Sequence, residues 1–327
     1  MQIAIAGSIA TDHLMAFPGR FTDQLIADRL DRVSLSFLAD HLEVRQGGVA
    51  ANIACGLGRL GLRPVLVGAA GTDFADYAAR LAADGVDTGS VRISETLHTA
   101  RFMCTTDTDQ NQIATFYAGA MAEARKIDLA VVAHRAGGLD LVLIGADDPE
   151  AMLRHTAAAQ AEGCAVAADP SQQLARLTSE QTRSLVTGAR LLFTNEYEAG
   201  LLRERTGWRT ADVLDRVGTW ITTLGADGVR IARAGEPPLH VPAVPARDIA
   251  DPTGAGDAFR AGFLAGLAWQ WPYHRAAQLG CAVATTALES VGTQEYKLIP
   301  AELLERIADA YGQETAAEFA PRLGEIS

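Results

Sequence analysis

The chain has 327 residues, 48% apolar but only 6% aromatic, so it can fill a sizeable core built mostly of Ala, Leu, Val and Ile. Its 28 basic and 40 acidic residues leave a net charge of −12, which argues against a general nucleic-acid or anionic-membrane surface. No apolar run reaches the length of a membrane span, the start MQIAIAGSIATDHL lacks the basic lead of a signal peptide, and Cys55, Cys104, Cys164 and Cys281 form no CxxC pair, so a cytoplasmic protein with reduced thiols is expected.

In chain order, residues 2–7 read as a strand, and residues 11–45 as a mixed stretch that fits no strand–helix unit. A helix is predicted over 49–60, a strand over 64–71 and a helix over 73–83 with Asp73 as its cap. Residues 100–117, ARFMCTTDTDQNQIATFY, alternate around a polar turn at 107–110 and predict a hairpin. Then come strands at 140–146 and 164–169 around a helix at 150–162 that opens on Pro149, a helix cap at Ser179, and a strand at 191–194 leading into a helix over 196–206. Strands at 220–224 and 229–233 precede helices at 254–268 and 274–288, and the tail 312–327 reads as a plain surface helix.

Strands that are apolar throughout and alternate with helices predict an α/β fold with a doubly wound, mostly parallel sheet. The two exceptional stretches predict a small antiparallel β lid, residues about 11–46 and 98–118 of a single domain spanning 1–327. Such a lid has open edges and an apolar face; pairing with a second lid covers both, so a homodimer through the lid is expected.

Only two lysines occur, Lys126 and Lys297, and neither follows a glycine. A Gly-Lys-Ser/Thr phosphate loop is therefore excluded, and phosphate must be held by Arg side chains and backbone N–H groups. Asp251-Pro-Thr-Gly-Ala-Gly-Asp257 supplies such groups: Gly254, Ala255 and Gly256 run into an apolar helix, so their amides converge at a helix N-terminus. A carboxylate beside that anion site suits a base that takes a hydroxyl proton. The bland reading is a tight turn with Asp257 as an N-terminal helix residue.

DPTGAGD resembles the C-terminal signature of the PfkB, or ribokinase-like, kinases, with Pro252 in place of the usual Thr. Other family features follow in order. Gly47-Gly48-Val-Ala-Ala-Asn52 resembles the GG-x-x-x-N signature, with the glycines hinging the lid and Asn52 reaching the substrate. Asn195-Glu-Tyr-Glu198 resembles N-x-x-E, which organises Mg²⁺ and phosphate. Thr223-Leu-Gly225-Ala-Asp-Gly228 resembles the turn that contacts ATP. Each alone is also an ordinary turn or helix cap. The resemblance implies ATP as co-substrate, Mg²⁺ held through water near Glu198, in-line transfer with Asp257 as base and the loop amides as anion hole. It also implies potassium held by carbonyls near 251–257 and 291–293.

For the acceptor, Asp12 after the first strand suits a cis-diol, with Ser8 and Ser36 as added polar contacts. Phe102 and Phe116 flank the hairpin turn and are either packing or a stacking surface for a flat ring. Gln172 and Gln173 suit the edge of a base and Arg176 a phosphate, unless they form a plain polar loop. With GSIATDHLM, LSFL, ARFMCTTD, DPSQQLARL and GTQE, the chain resembles the bacterial, ribokinase-like adenosine kinases. This places adenosine first and other nucleosides or ribose second. An acidic Asp12, rather than a basic lid residue, speaks against sugar phosphates as acceptors. A dinucleotide-dependent oxidoreductase is disfavoured because the first strand enters GSIATD and not GxGxxG. A catalytically dead nucleoside-binding protein remains the third alternative.

Overall fold

The computed structural model describes residues 1–24 and 36–326. In chain order the strands are β1 (Ile3–Ala6), β2 (Ala10–Ala16), β3 (His41–Gly47), β4 (Val65–Val67), β5 (Ala69–Ala70), β6 (Arg92–Ile93), β7 (Ala100–Thr106), β8 (Gln112–Tyr117), β9 (Leu141–Ile144), β10 (Ala165–Ala168), β11 (Leu191–Asn195), β12 (Thr219–Thr223), β13 (Val229–Ala232) and β14 (Leu239–Val241). The large sheet runs β14-β13-β12-β11-β10-β9-β1-β4. It is parallel from β4 to β12 and antiparallel only at β13 and β14.

Both faces of this sheet are covered, which explains why its strands are apolar without alternation. On β1, Ile3 and Ile5 point into a core shared with helices Val49–Arg59, Ala255–Ala268 and Tyr273–Leu288. Ala4 and Ala6 point the other way, into a core with helices Leu129–Arg135, Pro149–Ala161, Ser179–Val186 and Glu196–Thr206. The expected α/β, doubly wound arrangement is therefore present.

The small sheet has the order β3-β2-β7-β8. Its outer pairs are antiparallel, as expected of a lid. Its seam, β2 against β7, is parallel, because the chain leaves for the large sheet after one hairpin and returns to add the second. Residues 25–35, including Leu35 of the LSFL segment, lie outside the described residues.

Some local expectations need correction. The run 64–71 is split: β4 joins the large sheet, while β5 pairs with β6. The cap of helix Ser179–Val186 is Thr178, one residue earlier, in a capping box with Gln181. Asp73 caps no helix; its carboxylate accepts from the amide and hydroxyl of Thr99 and from Arg101, tying down the start of β7. The tail helix Gln313–Leu323 is not a plain surface helix, since Phe319 and Leu323 are fully buried and Phe319 packs 4.5 Å from the Trp271 ring.

Candidate active site

The helix Ala255–Ala268 begins at Gly254, whose φ of +80° lies in the left-handed region. A Cβ there would sit 2.9 Å from the Cβ of Thr293, so both conformation and space call for glycine. The Ala258 amide is the first to close a full helical turn, onto the Gly254 carbonyl at 2.9 Å. The amides of Gly256 and Asp257 precede that turn and face outward at the positive end of the helix dipole. Asp257 is in this first turn, and its carboxylate accepts from Asn52 Nδ2 at 2.8 Å. Burial raises its pKa to about 6; Asn52 and Arg260 oppose the shift, while Asp169 and Glu198 add to it.

One turn along the helix, the buried Arg260 donates to the Gly256 carbonyl at 2.9 Å and to Asp169 at 2.7 Å, and its Nε closes a second contact with Asp169. Asp169 directly follows β10, so this ion pair fixes the helix N-terminus over the C-terminal ends of the parallel strands. Burial pulls the Arg260 pKa down, yet Asp169, Asp257 and Glu198 hold it above the ordinary value. The Glu198 carboxyl is raised, first by burial. Three acids thus share one guanidinium, a local negative excess that suits a divalent cation. Among the described residues no three His, Cys, Asp or Glu side chains are grouped tightly enough to ligate a metal directly. Glu198 is also committed to a capping box: its side chain accepts from the Asn195 amide at 2.7 Å, and Asn195 Oδ1 accepts from the Glu198 amide at 2.8 Å. The donor set therefore fits Mg²⁺ held through water.

Asn195 and Thr223 are direct neighbours at the C-terminal ends of β11 and β12. Gly225 and Gly228 form the turn into β13, at φ of +60° and +90°. None of these four lines the cavity under the lid.

That cavity, of about 480 Å³, lies on the other side of Asp257, beyond the ends of β1, β9 and β10 and under the lid. Ser8, Asp12, Gly48, Asn52, Phe102, Phe116, Gln172, Gln173, Arg176, Gly254 and Asp257 all line it. Four strands supply one straight cross-strand row: Arg45 on β3, Asp12 on β2, Phe102 on β7 and Phe116 on β8 are successive register partners. Asp12 has no hydrogen bond or ion pair of its own among the described residues; burial raises its pKa and Arg45 lowers it. The Ser8 hydroxyl oxygen accepts from the Val49 amide at 3.1 Å, positioning the Gly48 hinge. A Cβ at Gly48, with φ +97°, would lie 2.5 Å from the Ser8 carbonyl. Gln173 donates from its Nε2 to the Asp147 carbonyl at 2.8 Å, while its Oε1 is buried with no partner among the described residues.

Two expectations change. Ser36 is exposed and does not line the cavity. The lid does carry a basic cavity residue, Arg45, which the sequence reading missed because its partners are remote or local acids: Glu43 through two bonds of 2.7 Å and Asp251 at 3.8 Å. Its charge is thus already matched within the protein. Thr293 and Gln294 were also passed over as side chains; both contact Asn52 Oδ1, Thr293 at 3.0 Å and Gln294 Nε2 at 2.8 Å.

The family model described as pfkB family carbohydrate kinase matches residues 9–300. A nucleoside kinase of Burkholderia thailandensis, solved in complex with inosine, is 33% identical with a TM-score of 0.81, covering 95% of this chain and 98% of that one. A nucleoside kinase of Methanothermobacter thermautotrophicus is 30% identical over 82% of this chain and 86% of its own length. The Methanocaldococcus jannaschii nucleoside kinase structure is 26% identical with a TM-score of 0.81, covering 94% of this chain and 99% of that one.

Proposed function

The chain belongs to the pfkB family of carbohydrate kinases, and from that premise we propose that it transfers the γ-phosphate of Mg-ATP to the 5′-hydroxyl of a purine nucleoside, adenosine first, giving AMP and ADP. Membership makes it a phosphotransferase with ATP as co-substrate. The acceptor class rests on the row Arg45–Asp12–Phe102–Phe116. Neighbouring strands are about 4.8 Å apart, so a diol held by Asp12 puts an attached flat ring beside the two phenyl groups. A free sugar fills the Asp12 end and leaves Phe116 over open space. The similarity to nucleoside kinases supports the same class. Gln172 and Gln173 line the same cavity and suit the donor–acceptor edge of a base, adenine first and hypoxanthine second.

In this reading the chain is one ribokinase-like domain whose lid, residues about 11–46 and 98–118, covers the acceptor. Asp12, with Asn52, holds the ribose and Asp257 takes the hydroxyl proton. The amides of residues 254–257 and the Arg176 guanidinium stabilise charge on the transferred group. ATP lies along the β11–β12 side, against Asn195, Thr223, Gly225 and Gly228. Mg²⁺ supplies charge neutralisation on the phosphates, with Glu198 holding it through water. The Gly292 amide donates to Asp251, joining the two loops whose carbonyls would hold potassium; equal activity in sodium and potassium removes that part. Four unpaired cysteines suit a cytoplasmic setting.

The test is ADP release from Mg-ATP with adenosine, inosine, guanosine, ribose and fructose, with Phe116→Ala alongside. Nucleoside turnover whose KM rises in Phe116→Ala supports the reading. Turnover with ribose or fructose alone makes the protein a ribokinase or other sugar kinase, and turnover with none of the panel returns it to a nucleoside-binding protein.

A further inference from the structure

Asn52 donates to Asp257 only while its amide faces one way, and the structure shows what holds it. Its Oδ1 accepts from Gln294 Nε2 at 2.8 Å. The Thr293 hydroxyl also lies 3.0 Å away, but its single proton is divided between Asn52 and the Gln46 carbonyl at 3.2 Å. Gln294 Nε2 donates as well to the Tyr77 hydroxyl oxygen at 2.5 Å, and Tyr77 donates in turn to the Gly47 carbonyl at 2.9 Å. Asn52, Tyr77 and Gln294 are each at least 95% buried, and Tyr77 and Gln294 do not border the cavity, so the link between those two is shielded from water. A backbone carbonyl can only accept. That fixes the Tyr77 proton on Gly47, which makes the Tyr77 oxygen an acceptor and turns the Gln294 amine toward it and toward Asn52. Were Gln294 reversed, Asn52 would have to flip and set its oxygen against the Asp257 carboxylate.

We propose that Gln294 is a positioning residue for phosphoryl transfer, setting the direction of a hydrogen-bond chain that runs from the lid-hinge carbonyl of Gly47 through Tyr77, Gln294 and Asn52 to Asp257. The charged groups facing that carboxylate are Arg260 on its own helix, Asp169 after β10 and Glu198 after β11, with the buried Tyr296 phenol nearby. None of them touches the Asn52 amide, so the chain is its sole support besides Thr293 among the described residues. The inference rests on Asp257 being the base.

The test uses Gln294→Met, which keeps the side-chain volume without the amide, and Tyr77→Phe, which removes one hydroxyl. The readout is the Asn52 side-chain amide signal in a ¹H–¹⁵N spectrum of the substrate-free protein, assigned by its loss in Asn52→Ala. Both variants are expected to shift that signal and speed its exchange with solvent. Both are expected to lower kcat about 10- to 100-fold with the KM for ATP unchanged. An unmoved signal in folded Tyr77→Phe, or wild-type kcat, overturns the proposal even if Gln294→Met does not fold. Because the spectrum needs no acceptor, it decides the matter even if the nucleoside reading fails.

Discussion

As the base we propose, Asp257 concentrates the chemistry in one carboxylate, and its environment gives that carboxylate a definite pH signature. It acts as a base only when ionised, and burial holds its pKa near 6. We expect kcat to fall as pH drops through about 6 and to level off above it. Asn52→Ala removes the donor that favours the ionised form, so its acid limb should move to higher pH; a limb that moves down contradicts the assignment. The same shift has a consequence for stability. Folded Asp257 binds its proton more tightly than the unfolded chain, where the ordinary value is 3.8. Its contribution is full below about 3.8 and lost as pH rises through about 6. Near neutral pH the ionised side chain is therefore a burden on the fold. Asp257→Asn should lose about 10²–10⁴ in kcat yet melt no lower than the wild type. A lower melting temperature, or near-normal turnover, would count against the role.

The elements that carry the site were largely legible, because strand length and helix-start chemistry are local. The β11 end and its helix read correctly from Asn195 to Thr206 because Asn195 and Glu198 close a capping box within four residues. Thr178 was missed one position before Ser179 because either hydroxyl can cap, and only the backbone at Thr178 is extended. The tail helix was misread because its polar composition hides a stripe of Thr315, Ala316, Phe319 and Leu323 that is buried only once the rest of the chain has folded. Phe319→Ala should cost about 3–5 kcal/mol in chemical denaturation, where a plain surface helix would lose almost nothing.

For the whole molecule, the lid leaves Leu42 and Val44 on β3 and Ile113 on β8 exposed at 58%, 52% and 43%. β3 and β8 are also the two open edges of the small sheet. A second lid would cover these side chains and edges together, which is the basis for the homodimer we propose. Sedimentation should give twice the chain mass, and Val44→Glu with Leu42→Glu should return the monomer. A wild-type monomer at micromolar concentration would remove the dimer. The same contact would brace the row from Arg45 to Phe116, so the monomeric variant should bind nucleoside more weakly.

Taken alone, the amino-acid sequence determined the α/β class and the glycine turn at Gly254 that opens a helix, and it singled out Asp257 as the base we propose, because each is written in a few adjacent residues. Tertiary structure decided what distance along the chain conceals. Asn52 meets Asp257 across 205 residues and Thr293 across 241, and Arg260 meets Asp169 across 91. Arg45, Asp12, Phe102 and Phe116 become one row only through strand register. Register depends on how whole strands pair and bury their faces, a property that no short segment specifies by itself.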